Sequence, residues 1–284
     1  MKTIILAGGL GSRLSEETAI KPKPMVEIGD MPILWHIMKI YSHYGFNDFI
    51  VCLGYKGYYI KEWFSHYYLH NSDITFDLKD NKIEYHINKG ENWRVTLVDT
   101  GDKTLTGGRI KRVKSYIGNE TFMMTYGDGV SDVDIKRLVE FHKDSENIAT
   151  MTAVTPEGRF GTFDLADNQV TSFHEKKDNK DKINGGFFVL EPEVFDYIDS
   201  DMVYFEQEPL TNLARDGKLF AYIHQGFWKC MDTLKDRKDL EEMWQSKNCP
   251  WRIWEDNQYV SKGARSNEKD EQGFLKDDRS SFRW

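Results

Sequence analysis

Residues 8–24 read Gly-Gly-Leu-Gly-Ser-Arg-Leu-Ser-Glu-Glu-Thr-Ala-Ile-Lys-Pro-Lys-Pro. Glycine removes the side chain that holds other groups off the backbone, so Gly8, Gly9 and Gly11 suit a loop whose N–H groups surround an anion. Arg13 adds a planar fork for outer phosphates, and Lys23, stiffened between Pro22 and Pro24, presents a pre-positioned ammonium to an α-phosphate. That combination suits a nucleoside triphosphate; a glycine turn with a solvated Lys/Pro strand is the alternative. Two other phosphate loops do not match. No Gly-Lys-Ser/Thr occurs, as a Walker A loop requires, and a dinucleotide fingerprint fails because Gly9-x-Gly11-x-x lands on Leu14.

The elements that must hold this loop follow from periodicity. Lys2–Leu6 reads as a buried strand, 32–41 as a helix stopped at Gly45, 49–53 as a second strand and 58–68 as another helix. Residues 71–100 interrupt the rhythm with two alternating runs around Asp80-Asn81, a hairpin signal, and a strand at 93–98. The rhythm resumes with helix 107–117, strand 121–126, helix 133–142, strands 148–154, 162–165, 170–175 and 183–190, and helices 207–215 and 233–246. The pattern predicts an α/β domain over 1–254 with a mostly parallel sheet, flanking helices and a β-hairpin insertion. The insertion is a candidate oligomer contact, so a homo-oligomer is expected. Residues 255–284 hold seven acidic and six basic residues with no periodicity. They read either as a poorly ordered tail or as an arm packing through Phe274, Phe282 and Trp284 on a neighbouring subunit.

Composition sets bounds. The 284 residues are 39% hydrophobic, enough for a sizeable core, and Lys+Arg 38 against Asp+Glu 46 gives a net charge of −8. No basic excess supports nucleic-acid binding, so an anionic substrate is to be held by local positive charge. Three cysteines without a C-x-x-C spacing fit a reducing compartment. The opening apolar run is too short and glycine-broken for a signal peptide, and no stretch approaches the ~20 apolar residues that span a bilayer. The expectation is a soluble cytoplasmic protein with no membrane partner.

The opening stretch resembles the sugar-nucleotide pyrophosphorylases, or sugar-1-phosphate nucleotidylyltransferases, and within them the bacterial glucose-1-phosphate cytidylyltransferases. The resemblance covers residues 1 to about 254. It runs through Lys-Pro-Lys-Pro-Met-Val-Glu-Ile at 21–28, Pro-Ile-Leu-Trp-His-Ile-Met-Lys at 32–39 and Val-Thr-Leu-Val-Asp-Thr-Gly at 95–101. Thr-Gly-Gly-Arg at 106–109, Tyr-Gly-Asp-Gly-Val-Ser-Asp at 126–132 and Ile-Asn-Gly-Gly-Phe-Phe-Val at 183–189 continue it. Phe-Trp at 227–228 and Met-Asp-Thr-Leu at 231–234 close it. It implies the Rossmann-like nucleotide-diphospho-sugar transferase fold and Mg²⁺. The implied reaction transfers a cytidylyl group from CTP to α-D-glucose 1-phosphate, giving CDP-glucose and pyrophosphate for cell-surface polysaccharide precursors.

On that resemblance Leu6, Ala7, Gly8, Gly9, Gly11, Ser12, Arg13, Lys23, Thr104, Arg109 and Gly127 meet the nucleotide. Arg109 reads otherwise as an exposed helix charge beside Lys111 and Arg112. Tyr126, Glu175, Lys176, Asn184 and Gly185 form the sugar-phosphate side, with a solvated strand end and plain turn as the alternative. Asp128, between glycines at the end of a strand, lies where open α/β sheets bind ligands and is the first magnesium ligand; a turn-former is its alternative. Asp232 is either the second carboxylate or the N-cap of the next helix, while Asp132 and Asp134 read as caps. Arg13, Lys23 and Asp128 are the catalytic candidates. No protein nucleophile is needed, because a phosphate monoester with a second pKa of about 6 is already an anion.

Two departures from the family pattern lie near the sugar side: Lys177-Asp178-Asn179-Lys180-Asp181 where relatives have proline, and Cys230 where proline is common. They leave open another sugar 1-phosphate, and dTTP remains the rival nucleotide. His66 and His70, four apart, lack the glutamate after the first histidine that a zinc-protease motif needs and read as surface or interface residues. Trp35, Trp63, Phe64 and Tyr67 read as core or interface. A non-catalytic nucleotide sensor is the rival from another class; it would be expected to lose Arg13, Lys23 or a metal carboxylate, and all are present.

Overall fold

Alternate residues of the apolar runs supply two cores, one on each face of a central sheet. Ile5, Val51 and Met123 enter one buried cluster, and their neighbours Ile4, Ile50, Phe122 and Met124 enter the other. The computed structural model describes residues 1–255, apart from 10, 12, 13, 87–89, 146, 157–161, 167–168, 175–181 and 247. The chain begins with β1 (Thr3–Leu6), α1 (Ser15–Thr18), a small ribbon of β2 (Glu27–Ile28) and β3 (Met31–Pro32), then α2 (Ile33–His43) and β4 (Asp48–Leu53). Next come α3 (Gly57–Ser65), α4 (Tyr67–Asn71), the hairpin β5 (Ile74–Asp77) and β6 (Lys82–Tyr85), and β7 (Arg94–Asp99). They are followed by α5 (Thr106–Arg112), α6 (Lys114–Ile117), β8 (Phe122–Tyr126), β9 (Gly129–Ser131), α7 (Ile135–Asp144) and β10 (Ala149–Val154). Completing the order are β11 (Thr162–Ala166), β12 (Gln169–His174), β13 (Ile183–Leu190), α8 (Glu208–Arg215), β14 (Leu219–Ile223), β15 (Trp228–Cys230) and α9 (Leu234–Gln245).

Among the described residues the central sheet has seven strands in the order β14-β10-β13-β8-β1-β4-β7. Every neighbouring pair is parallel except those of β13, which runs antiparallel to β10 and β8. The C-terminal ends of β1, β4, β7 and β8 therefore share one edge with the N-terminal end of β13. The expected α/β class and hairpin insertion are both present. The expected helices 58–68 and 107–117 are each broken, at His66 (ψ 3) and Val113 (ψ 6), where the backbone leaves helical geometry. Asp134 does cap α7, accepting the Arg137 N–H at 3.0 Å, but Asp132 does not: its Oδ1 lies 2.9 Å from His224 Nε2 instead.

Behind α2 the chain closes on a fully buried aromatic plug. His36 Nε2 donates to the Ile28 carbonyl at 2.8 Å, and Nδ1 accepts from the Trp251 indole at 3.4 Å. Burial holds the His36 ring neutral, its pKa pushed down to about 4. The plug joins β2 and α2 to residues beyond α9.

Candidate active site

Lys23 is fixed before its side chain is considered. Pro22 precedes a single 3-10 turn over Lys23–Met25, the Met25 N–H reaches the Pro22 carbonyl at 2.8 Å, and Pro24 and Met25 are buried. The ammonium donates to Asp128 Oδ2 and to Asp232 Oδ1, each at 2.7 Å, although these acids lie 105 and 209 residues away in sequence. Burial by itself would lower the Lys23 pKa; the pull of Asp128 and Asp232 outweighs it and raises the group above its ordinary value.

Two local devices bring the acids together. Asp128 occupies the turn from β8 into β9, and β9 pairs antiparallel with β15, Gly129 opposite Cys230. The Met231 N–H then donates to the Asp128 carbonyl at 2.8 Å, delivering Asp232 next to Asp128. The helix cap is Thr233, in a capping box with Asp236, whose carboxylate also accepts the Asp232 N–H at 3.2 Å. Asp232 is thus not the N-cap, and its carboxylate turns to the ammonium. Two carboxylates converging on one positive centre fit a hard divalent cation, since magnesium takes one or two carboxylates together with substrate phosphates.

Arg109 is buried rather than an exposed helix charge. Its Nη1 donates to the Leu53 carbonyl at 2.9 Å and Thr100 Oγ1 at 2.8 Å. Its Nη2 donates to the Gly8 carbonyl at 2.9 Å and the Asp102 carbonyl at 3.4 Å. The guanidinium therefore ties the ends of β4 and β7 to the opening loop. A Cβ on Gly8 would lie 2.1 Å from Arg109 Nη1, so this glycine makes room for the arginine itself. Gly127 likewise admits Leu6 and Pro24, whose atoms would lie 2.9 and 3.0 Å from an added Cβ. Gly9 is exposed with open space around it, Ala7 is held to the Cys52 carbonyl at 3.0 Å, and Thr104 is buried beside Gly101. Ser12 and Arg13 lie outside the described residues.

On the other flank the Tyr126 hydroxyl donates to Glu206 Oε1 at 2.7 Å and accepts from Asn184 Nδ2 at 3.2 Å. Burial and the Glu206 carboxylate push the Tyr126 hydroxyl far above the usual phenol range. Trp228 Nε1 donates to the Gly185 carbonyl at 2.7 Å, linking β13 to the β15 ribbon. Glu175 and Lys176 lie outside the described residues. Lys23, Asp128 and Asp232 thus come together, and Tyr126, Asn184 and Gly185 form a second group whose Tyr126 lies two residues before Asp128. Glu206, in no recognisable motif, joins this second group through Tyr126, a contact that sequence reasoning missed. His66 and His70 are exposed on α4 and the turn before it, ring centroids 6.4 Å apart.

The same sheet recurs in solved structures. HddC from Yersinia pseudotuberculosis aligns with a TM-score of 0.64 and 24% identity over 86% of this chain and 99% of that one. A putative glucose-1-phosphate thymidylyltransferase from Bacillus anthracis gives a TM-score of 0.62 and 18% identity over 86% and 94%. The fold is that of the nucleotide-diphospho-sugar transferases, and the family model for nucleotidyl transferases matches residues 2–236. These define a nucleotidyltransferase. The glucose-1-phosphate cytidylyltransferase of Salmonella typhimurium (strain LT2) is 58% identical over 257 residues, 90% of this chain and 100% of that protein. A probable glucose-1-phosphate cytidylyltransferase of Bacillus subtilis (strain 168) is 45% identical over 255 residues, 89% and 100% of the two chains. The chain belongs to the glucose-1-phosphate cytidylyltransferase family.

Proposed function

We propose that this enzyme transfers the cytidylyl group of CTP to α-D-glucose 1-phosphate, forming CDP-glucose and releasing pyrophosphate. The observation that supports the chemistry best is the Lys23 ammonium, bonded at 2.7 Å to both Asp128 and Asp232 at the ligand-binding edge of the sheet. An oxygen of the sugar phosphate attacks the α-phosphorus, the bond from that phosphorus to the β-phosphate bridging oxygen breaks, and pyrophosphate carries away the electron pair. The attacking phosphate, with a second pKa of about 6, needs no general base. The protein's task is positioning and charge neutralisation.

In this reading Lys23 neutralises the reacting α-phosphoryl group and Arg13 the departing pyrophosphate. Leu6, Ala7, Gly8, Gly9, Gly11, Ser12 and Gly127 cradle the nucleotide, with Thr104 and Arg109 on its base side. Tyr126, Glu175, Lys176, Asn184 and Gly185 take the sugar phosphate. Asp128 and Asp232 would hold Mg²⁺, which supplies positive charge to the phosphates when bound. The unit is residues 1–254, with 255–284 an appendage whose residues 256–284 lie outside those described.

A cytoplasmic home is supported by free thiols at Cys52, Cys230 and Cys249. Among the described residues no helix is long and apolar enough to cross a membrane. A second copy of the chain is the proposed partner of the β5–β6 hairpin, where Phe76 (55% exposed) and Leu78 (89%) stand in solvent beside Ile83 and Tyr85.

The test is pyrophosphate release with Mg²⁺, pairing CTP, dTTP, UTP, ATP and GTP with several sugar 1-phosphates. Release with CTP and glucose 1-phosphate is expected. Release with another pair would keep the reaction and move the specificity to residues 176–181 and Cys230. No release from any pair would favour the nucleotide sensor.

A further inference from the structure

Glu206 is the hub of the polar chain beside Tyr126, and no role has yet been given to it. It arrives on a short strap, residues 199–207, laid across the start of α5. The Leu105 N–H donates to the Asp201 carbonyl at 2.9 Å, the Gly107 N–H to the Val203 carbonyl at 3.0 Å, and the Phe205 N–H to Thr106 Oγ1 at 2.9 Å. Arg112 Nε adds a charged bond to Asp201 Oδ1 at 3.0 Å. Such a seat demands two glycines. A Cβ on Gly107 would lie 2.8 Å from the Val203 carbonyl oxygen, and one on Gly108 would lie 2.5 Å from the Asp201 Cα. The glycines of Thr-Gly-Gly-Arg admit the strap.

The strap delivers one carboxylate to two hydroxyls. Glu206 Oε1 accepts from Tyr126 at 2.7 Å and Oε2 from Thr106 Oγ1 at 2.6 Å. A hydroxyl has a single proton, so Tyr126 has none to offer elsewhere and faces Asn184 with a lone pair. Asn184 must then present its amide N–H₂ to Tyr126, at 3.2 Å, and its carbonyl oxygen to the Gly186 N–H, at 2.9 Å. Without the carboxylate, the Tyr126 proton would be free to turn elsewhere, including toward the Asn184 N–H₂, which the Gly186 N–H keeps facing Tyr126 by holding the amide oxygen.

We propose that Glu206 is a positioning residue for the sugar 1-phosphate, fixing the proton of Tyr126 and with it the lone pair that holds the Asn184 N–H₂ in place. This rests on the reading that Tyr126 and Asn184 face the sugar phosphate. The test is KM for glucose 1-phosphate and for CTP, with melting temperature, in Glu206→Gln, Tyr126→Phe, Asn184→Ala and the Glu206→Gln/Tyr126→Phe pair. Glutamine keeps the shape but loses one acceptor. The glucose 1-phosphate KM is expected to rise about tenfold, equivalent to one good hydrogen bond, while the CTP KM stays within about twofold. The pair should be little worse than either single change, because both act through one chain of bonds.

An equal rise in both KM values, or unchanged KM values with a lower melting temperature, would overturn the proposal and leave Glu206 a structural tie. Asn184→Ala separates the two layers. If it leaves the sugar KM unchanged, the placement of the sugar fails and the role of Glu206 with it. If it raises that KM and Glu206→Gln does not, only the role of Glu206 fails.

Discussion

Removing the Lys23 ammonium would leave Asp128 and Asp232 facing one another without the cation that now joins them at 2.7 Å. Lys23→Ala is expected to cut kcat by about 100-fold or more, the scale of losing one preorganised charge from a phosphoryl transition state. Its thermal unfolding should stay cooperative, since the 3-10 turn that holds the backbone is made by Pro22 and Pro24. Near-normal turnover in a folded variant would refute the assignment. Lys23 and Asp128 were legible in the sequence because proline and glycine mark them as exceptional. The work of Arg109 was not, because three of its four acceptors are backbone carbonyls, one of them 101 residues away, and a carbonyl leaves no signature in the residue that bears it. Glu206 was illegible for a related reason: it is an ordinary exposed acid before a helix, and only the strap makes it a neighbour of Tyr126.

The strap is also where the elements make their sharpest prediction. Gly107→Ala would force a Cβ to within 2.8 Å of the Val203 carbonyl and lift residues 199–207 from α5. A loss of ~1–3 kcal/mol in stability is expected, as for other overpacked sites, together with lower activity. Denaturant unfolding of that variant measures the first and pyrophosphate release the second; an unchanged midpoint would show that the seat is loose. The longer elements were legible, since buried strands such as β1, β4 and β8 announce themselves by apolar runs between glycines and turns. The ribbon β2–β3 and the pairing of β9 with β15 were not. Each strand spans only two or three residues, too short for a period, and is defined by its partner, which for Gly129 is the distant Cys230. That second ribbon is nonetheless what brings Asp232 to Asp128.

At the scale of the molecule, the exposed apolar hairpin argues for self-association. Light scattering after gel filtration is expected to give a mass above the monomer's 33.3 kDa, and Leu78→Asp, at an 89% exposed position, should shift it toward the monomer without changing the fold. A wild-type monomer at micromolar concentration would remove the hairpin's proposed partner. The α/β class and the insertion were legible from rhythm alone, whereas the plug of His36 and Trp251 was not, because it joins residues 215 apart. The strap has one more consequence, for anyone who maps this enzyme by saturation mutagenesis scored on growth or product. Gly107 and Gly108 would tolerate almost nothing and would rank beside Asp128, so a heat map would paint them as catalytic. Their neighbours are Val203 and Asp201, and what such a map would be recording there is the fit of one stretch of backbone against another.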